Sequence, residues 1–367
     1  LGGMMVNRAD IANLLNATQN LYSLARSGQL LARYAFDRLR FHRGTRLVMG
    51  NALVGRLYSS LRKQGVNVDT GTNVTRLIRV RDKVTGVEIA QNGQTHQILA
   101  RHGVILASGG FSRHPELRRT FLPDPIAEFS PLPETITGDG VTIGLDVGGS
   151  IGSGHAENCF WTPVSVRKRK DGSVAVFPHF VLDRGKPGLI AVDRNGQRFV
   201  SEATDYHSFG KAIYANKMRG TIPCYFVCDW DFIQKYGLGM ARPHASNLRE
   251  FLSDGYVVKG ETIPALSKKL GIETEGLLRQ VERHNTFALS GFDEEFGKGG
   301  NSYERHLGDP NHKPNPCLGS ITNPPFFAVK IYPGDLGASI GLVTDANARV
   351  LTPDGNPISG LYACGND

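Results

Sequence analysis

No apolar run in this sequence approaches the roughly 18 residues that a membrane-crossing helix requires, so no transmembrane segment is expected. Nothing around Leu1 has the pattern of a signal peptide. Cysteine is sparse: Cys159, Cys224, Cys228, Cys317 and Cys364 are odd in number and scattered. Cys224 and Cys228 are not a CxxC pair, and no histidine pair stands near them at metal-ligand spacing. Free thiols in a reducing compartment are therefore expected, and no metal site. Acidic residues are scarce at one end, where residues 1–81 hold twelve arginines and Lys63 against Asp10, Asp37 and Asp69. The net charge of +8 is thus local, and the rest of the chain is slightly acidic. No nucleic-acid recognition fold accompanies the basic stretch. A solvated basic face fits it best, ahead of contact with an anionic ligand or a membrane surface.

What the chain does have is length for about two domains, at a prior of roughly 150 residues each, and abundant, unevenly placed glycine. Its organising stretch is Gly103-Val-Ile-Leu-Ala-Ser-Gly-Gly-Phe111. A short uncharged run ending on two glycines reads as a parallel-sheet strand buried on both faces, with a bare backbone at its end. In open α/β sheets ligands sit outside such carboxyl ends. The plain alternative is a buried strand followed by a turn.

Residues 7–41 read as two basic amphipathic helices separated at Ser27-Gly28, and a third helix runs from Gly50-Asn51 to Gly65. Val66 to Asp69 reads as a short strand, Val74 to Val80 and Val84 to Ile89 as a hairpin, and Thr95 to Leu99 as a further strand. Ser112 is placed to cap a helix beginning near Pro115. Thr137-Gly-Asp-Gly140 opens another helix, which ends at Gly148-Gly149. Gly138-x-Gly140-x-x-x-Gly144 mimics a dinucleotide fingerprint, but it follows a proline-rich coil instead of a strand and is rejected as one. Further on come a hairpin with an Asn195-Gly196 turn and helical periods at 206–218, 229–236 and 275–289. An aperiodic stretch from Gly297 to Pro325 follows, and strands return from Phe326.

Several of these stretches together resemble the flavoprotein superfamily of soluble fumarate reductases and 3-ketosteroid dehydrogenases. The shared features are Gly103 to Phe111, Thr137 to Gly140, Asn195-Gly-Gln-Arg-Phe-Val-Ser-Glu202 and Gly360-Leu-Tyr-Ala-Cys-Gly365. Phe292 to Phe296, Ser302-Tyr303, Gly308 to Asn311, Lys313 to Pro316 and Pro333 to Gly337 resemble the 3-ketosteroid Δ1-dehydrogenases more specifically. The resemblance implies an α/β fold with an α+β cap: an incomplete Rossmann-like FAD-binding domain (1–152 and 326–367) with an inserted catalytic cap (153–325). It also implies that the chain is the interior of a longer protein. The superfamily's initial strand, Gly-rich turn and helix, and its final Tyr-Pro-Gly-Pro-Gly segment, lie outside the sequence. Whether this stretch holds FAD by itself is left open.

The implied reaction is desaturation beside a ketone, in which a base removes a proton and the flavin receives a hydride. The resemblance puts that base at Tyr206, the place where the fumarate reductases carry an arginine proton donor and the ketosteroid dehydrogenases a catalytic tyrosine; a phenol in this role calls for a donor or a positive field. Gly337-Ala-Ser-Ile-Gly341 stands where those reductases carry a dicarboxylate-binding segment. FAD contacts are implied for Ala107, Gly109, Gly110, Asp139, Val74, Gly365 and Asn366, and more weakly for Asn51. Phe160, Trp161 and Phe209 are available to line an apolar pocket, although aromatics at such places are more often core. The partners implied are a small lipophilic, steroid-like ketone and an electron acceptor. A cytoplasmic setting is expected, with membrane contact through the basic helices as an option. A fumarate-type reductase and a non-catalytic fragment are the alternatives.

Overall fold

The computed structural model describes residues 3–152, 158–245 and 248–367. The chain divides into two compact units, residues 1–72 and 73–367. The first carries α1 (Arg8–Leu15), α2 (Leu21–Arg40) and α3 (Met49–Lys63). Asn7 and Asp10 form a capping box at α1, and Arg46 pairs with Asp10 at 2.6 Å. The break between the first two helices falls at residues 16–20, not at Ser27-Gly28. Asn20 caps α2 by accepting from the Ser23 N–H at 2.8 Å, and the helix then runs through Gly28. A single glycine costs a helix only about 1 kcal/mol. The buried Ser27 hydroxyl meanwhile donates to the Asn13 carbonyl at 3.1 Å, holding α2 against α1. Val66 to Asp69 is not a strand.

The second unit opens with an antiparallel meander of β1 (Asn73–Val80), β2 (Lys83–Gln91) and β3 (Gln94–Leu99). Asn92 and Gly93 both have positive φ, the two-residue turn that suits a twisted hairpin. Next come β4 (Val104–Leu106), α4 (Pro115–Phe121) and α5 (Asp139–Asp146). His114, not Ser112, caps α4, its Nδ1 accepting from the Leu117 N–H at 3.2 Å. The strand β4 is not buried on both faces: Leu106 is in the core but Ile105 is 68% exposed.

The chain then supplies β5 (Cys159–Lys168), β6 (Val174–Pro178), β7 (Leu189–Val192), α6 (Tyr206–Ala215), β8 (Cys224–Cys228), α7 (Trp230–Lys235), α8 (Leu248–Ser253), β9 (Val258–Gly260), α9 (Ile263–Leu270), α10 (Thr274–Ser290) and α11 (Ser302–Leu307). It closes with β10 (Phe326–Ala338), β11 (Arg349–Leu351) and β12 (Pro357–Ala363). The aperiodic 297–325 stretch thus contains one short helix, α11. Between β10 and β11, Leu342 and Thr344 make only isolated bridges, to Ile151 and Val350.

Two sheets result. One has the order β1-β2-β12-β11, with β3 on β2 and β4 on β12. Within it β12 runs parallel to β4, Leu361 opposite Val104 and Ala363 opposite Leu106. The other has the order β6-β5-β10-β8-β7, with β9 on β10. The residues from Phe326 to Ala338 therefore belong to the second sheet, and the chain re-enters the first only at β11. Alternating apolar residues suit either sheet, so the sequence pattern does not show that the return to the first sheet comes about two dozen residues after Phe326. Arg118 on α4 links the loop after β4 to the second sheet, donating to the Ser112 carbonyl at 2.6 Å and to Asp335 of β10 at 2.8 Å.

Candidate active site

Two parallel strands end side by side, and each runs straight into glycine. Past β4 come Ala107, Ser108, Gly109 and Gly110; past β12 come Cys364, Gly365, Asn366 and Asp367. Asp367 joins the ends. Its Oδ1 accepts from the Ser108 hydroxyl at 2.7 Å and its Oδ2 from the Gly109 N–H at 2.8 Å. The Gly140 N–H, in the first turn of α5, donates to Ser108 Oγ at 3.0 Å. The neighbouring Asp139 accepts from the Thr137 hydroxyl at 2.7 Å. A Cβ on Gly140 would overlap the Asp367 carboxylate and Ser108 Oγ. By contrast, Gly109 and Gly365 have positive φ with no atom within 4 Å of where a Cβ would stand, which leaves their backbone bare to the outside. The Asn366 amide donates to the Ala338 carbonyl at 2.8 Å, bringing the end of β10 to the same place.

The structure thus gathers Ala107, Gly109, Gly110, Asp139, Gly365 and Asn366 at one sheet edge, outside the carboxyl ends of parallel strands. Val74 lies elsewhere, on β1, packed on the apolar core of this sheet. Asn51 lies on α3 in the first unit and is exposed. Ser108 and Asp367 are the residues that sequence reasoning missed. A small polar residue between a strand and a Gly-Gly pair was the available signal for Ser108.

Tyr206 is the first residue of α6, whose N-cap Asp205 accepts from the Ser208 N–H at 2.8 Å. Its ring meets Phe180 edge-on, centroids 5.4 Å apart. The residue is 36% exposed, and its hydroxyl has no hydrogen-bond partner among the described residues. The His207 Nδ1 accepts from the Trp161 N–H at 3.1 Å, which seats α6 on β5. Of the aromatics expected at a pocket, Trp161 and Phe209 are fully buried core residues. Phe209 packs edge-on against Phe199 and Phe226. Phe160 alone of the three is exposed, its ring 6.3 Å from that of His207.

The turn leading to Tyr206 rests on a buried ion cluster. Arg198 forks onto Glu202 at 2.8 and 2.9 Å and reaches Asp293 at 2.9 Å, while Lys298 lies 3.1 Å from Glu202. Burial would raise the Glu202 pKa, but Arg198 and Lys298 hold it well below the usual carboxylate range. Glu202 is therefore a fixed anion and a structural partner, not a proton acceptor. A second buried chain runs Asp183–His179–Ser165–Tyr256, with contacts of 2.7, 2.8 and 2.6 Å. The first three have the order of a hydrolytic triad. All four are buried and Ser165 Oγ is already bound to Tyr256, so no substrate reaches it.

The profile of the FAD binding domain family matches residues 3–367. The chain belongs to this family. Among curated relatives, the 4-oxocyclohex-2-ene-1-carboxylate 5-dehydrogenase of Sinomonas cyclohexanicum is 37% identical, covering 97% of this chain and 61% of that protein. The 3-oxosteroid 1-dehydrogenase of Mycobacterium tuberculosis is 35% identical, covering 87% and 57%. The crystal structure of the 3-ketosteroid Δ1-dehydrogenase of Sterolibacterium denitrificans with 1,4-androstadiene-3,17-dione superposes with a TM-score of 0.88 at 33% identity, covering 99% of this chain and 66% of that one. The chain of this FAD-binding family member spans about three-fifths of the length of the curated relatives it matches.

Proposed function

We propose that this chain belongs to an FAD-dependent dehydrogenase that introduces a C=C bond beside a ring ketone. The observation that carries the reading is the convergence of Gly109, Gly110, Asp139 and Asn366 at two strand ends joined by Asp367. That arrangement suits a flavin nucleotide. The bare backbone at Gly109 and Gly365 gives room for close approach, and the carboxylate of Asp139 is placed to accept hydrogen bonds from hydroxyl groups. The first sheet with α5 holds the cofactor in this reading, and residues from about 158 to 338 form the catalytic cap.

FAD, when bound, supplies the hydride acceptor. Tyr206 takes the proton from the carbon next to the ketone. Phe180 holds its ring in place, and the ion cluster around Arg198 holds the turn before it. A ring ketone is the substrate class common to the relatives named above, and an electron acceptor would be the second partner. Peripheral contact with an anionic membrane surface is supported by exposed Leu21, Phe36 and Leu39 accompanying the arginines of α2.

The test is flavin absorbance of the purified protein, followed by turnover of 4-androstene-3,17-dione and of 4-oxocyclohexanecarboxylate with a dye acceptor. Bound flavin with turnover of either ketone supports the reading. A colourless protein overturns it, and so does a flavoprotein that reduces fumarate but oxidises neither ketone.

A further inference from the structure

Arg184 is among the largest fully buried side chains, and no carboxylate pairs with its guanidinium among the described residues. Its hydrogen bonds go to carbonyls instead. Nε donates to the His179 and Phe180 carbonyls at 2.9 and 3.1 Å. Nη1 donates to the Glu202 carbonyl at 2.7 Å and also to the Thr204 carbonyl. Nη2 is buried and makes no hydrogen bond of normal geometry among the described residues, although the Tyr303 phenol stands near enough to favour the positive charge. Burial lowers the Arg184 pKa, while Tyr303, Asp183 and Asp205 oppose that shift. A buried guanidinium without a hydrogen-bonded anion is expensive and calls for a reason.

The carbonyls come from two segments, one packed against Tyr206 and one leading into it. Phe180 is the ring against Tyr206, and Glu202 to Thr204 is the backbone that leads into α6. We propose that Arg184 is a positioning residue for Tyr206, its planar fork fixing at once the turn that launches the tyrosine and the aromatic wall it leans on. The inference rests on the reading of Tyr206 as the proton acceptor.

The anchor is itself anchored. The Arg184 N–H donates to Asp183 Oδ1 at 2.8 Å, and the other Asp183 oxygen holds the Gly239 N–H at 3.0 Å and His179 Nδ1 at 2.7 Å. From His179 the chain passes through Ser165 to Tyr256, whose hydroxyl accepts the Met240 N–H at 3.0 Å. A network in which each of these members is engaged rigidifies its surroundings. A lysine at this position keeps the charge but presents a single ammonium, which cannot reproduce the fork.

The experiment compares Arg184→Met and Arg184→Lys with the unmodified full chain. Two readouts are used: the tyrosine 13Cζ NMR resonance of Tyr206, assigned by its loss in Tyr206→Phe, and steady-state turnover of 4-androstene-3,17-dione. The Tyr206 resonance is expected to shift or broaden in both variants while the other tyrosine signals stay in place. A displacement of about 1 Å costs on the order of a hundredfold, so kcat falls by about ten- to a hundredfold in Arg184→Met, with partial recovery in Arg184→Lys and KM changed by less than about threefold. An unmoved Tyr206 resonance in whichever variant folds overturns the inference; so does a loss of rate that follows only the folded fraction. If the unmodified protein turns over no ketone, the functional reading fails, and the resonance alone decides whether Arg184 positions Tyr206.

Discussion

Ser108 and Asp367, 259 residues apart in sequence, meet at 2.7 Å, the hydroxyl of one donating to the carboxylate of the other. This contact brings the ends of β4 and β12 together, and it leaves no room for a side chain at Gly140, whose Cβ would overlap both groups. Gly140→Ala must therefore push α5 away from the strand ends, taking Asp139 with it. We expect FAD binding, followed by flavin fluorescence quenching, to weaken by at least about tenfold, because a cofactor site tolerates little displacement. Gly28→Ala is the control: its Cβ meets nothing within 4 Å on an exposed face of α2. That change should leave FAD binding alone and stabilise α2 by about 0.5–1 kcal/mol.

The cluster of Arg198, Glu202, Asp293 and Lys298 is buried throughout. Removing one charge strands the others, so Arg198→Met should destabilise the fold by about 3–5 kcal/mol, read by urea denaturation. The Glu202 pKa is held down in the folded state, so its contribution is present above the unfolded carboxylate pKa and is lost as pH falls through the lower folded value. Mild acid should leave this cluster intact. A midpoint unchanged in Arg198→Met would show that the cluster contributes nothing net.

His284 acts in the same direction but at milder acidity. It is fully buried on α10, its Nε2 facing the Gly319 carbonyl at 3.1 Å, with Nδ1 lacking a partner among the described residues. Burial, helped by the charges of Lys298 and Arg198, lowers its pKa from 6.5 to about 3. The unfolded chain binds a proton that the folded one refuses. Stability is thus complete above the unfolded pKa and falls towards the folded value, by about 1.4 kcal/mol per pH unit. Comparing urea midpoints near pH 5 and pH 7 should show this loss, and His284→Gln should flatten it. An equal slope in both proteins would refute the assignment.

What could be read from the sequence followed from local chemistry. The glycines after two similar apolar strands marked their ends, and the hairpin of β1 and β2 showed in its alternation. The readings that failed depended on a competitor or a distant partner. Asn20 offers a better helix start than Ser27-Gly28 offers a stop. His114 outcompetes Ser112 because it stands directly before Pro115. The pairing of β10 with β5 and β8 is set across more than a hundred residues, which no period reveals. Trp161 and Phe209 carry the composition of a pocket but fill the core, one on β5 and the other on the buried face of α6. Arg184 gave no signal at all, since its role lies in four carbonyls brought to it by two separate turns.

Tyr206 yields the prediction that bears most directly on function. It begins α6 with Asp205 as its cap, so its backbone is fixed, and its ring has Phe180 on one side. Removing only the hydroxyl in Tyr206→Phe keeps that packing and should leave the melting temperature and FAD binding unchanged. Loss of a positioned proton acceptor typically costs about 10²- to 10⁴-fold, so kcat for 4-androstene-3,17-dione should fall within that range while KM stays within about threefold. Phe180→Ala should act more mildly, loosening the ring without removing the acceptor. If Tyr206→Phe keeps its rate, another group takes the proton, and the reading of this site as a ketone desaturase must be rebuilt around that group.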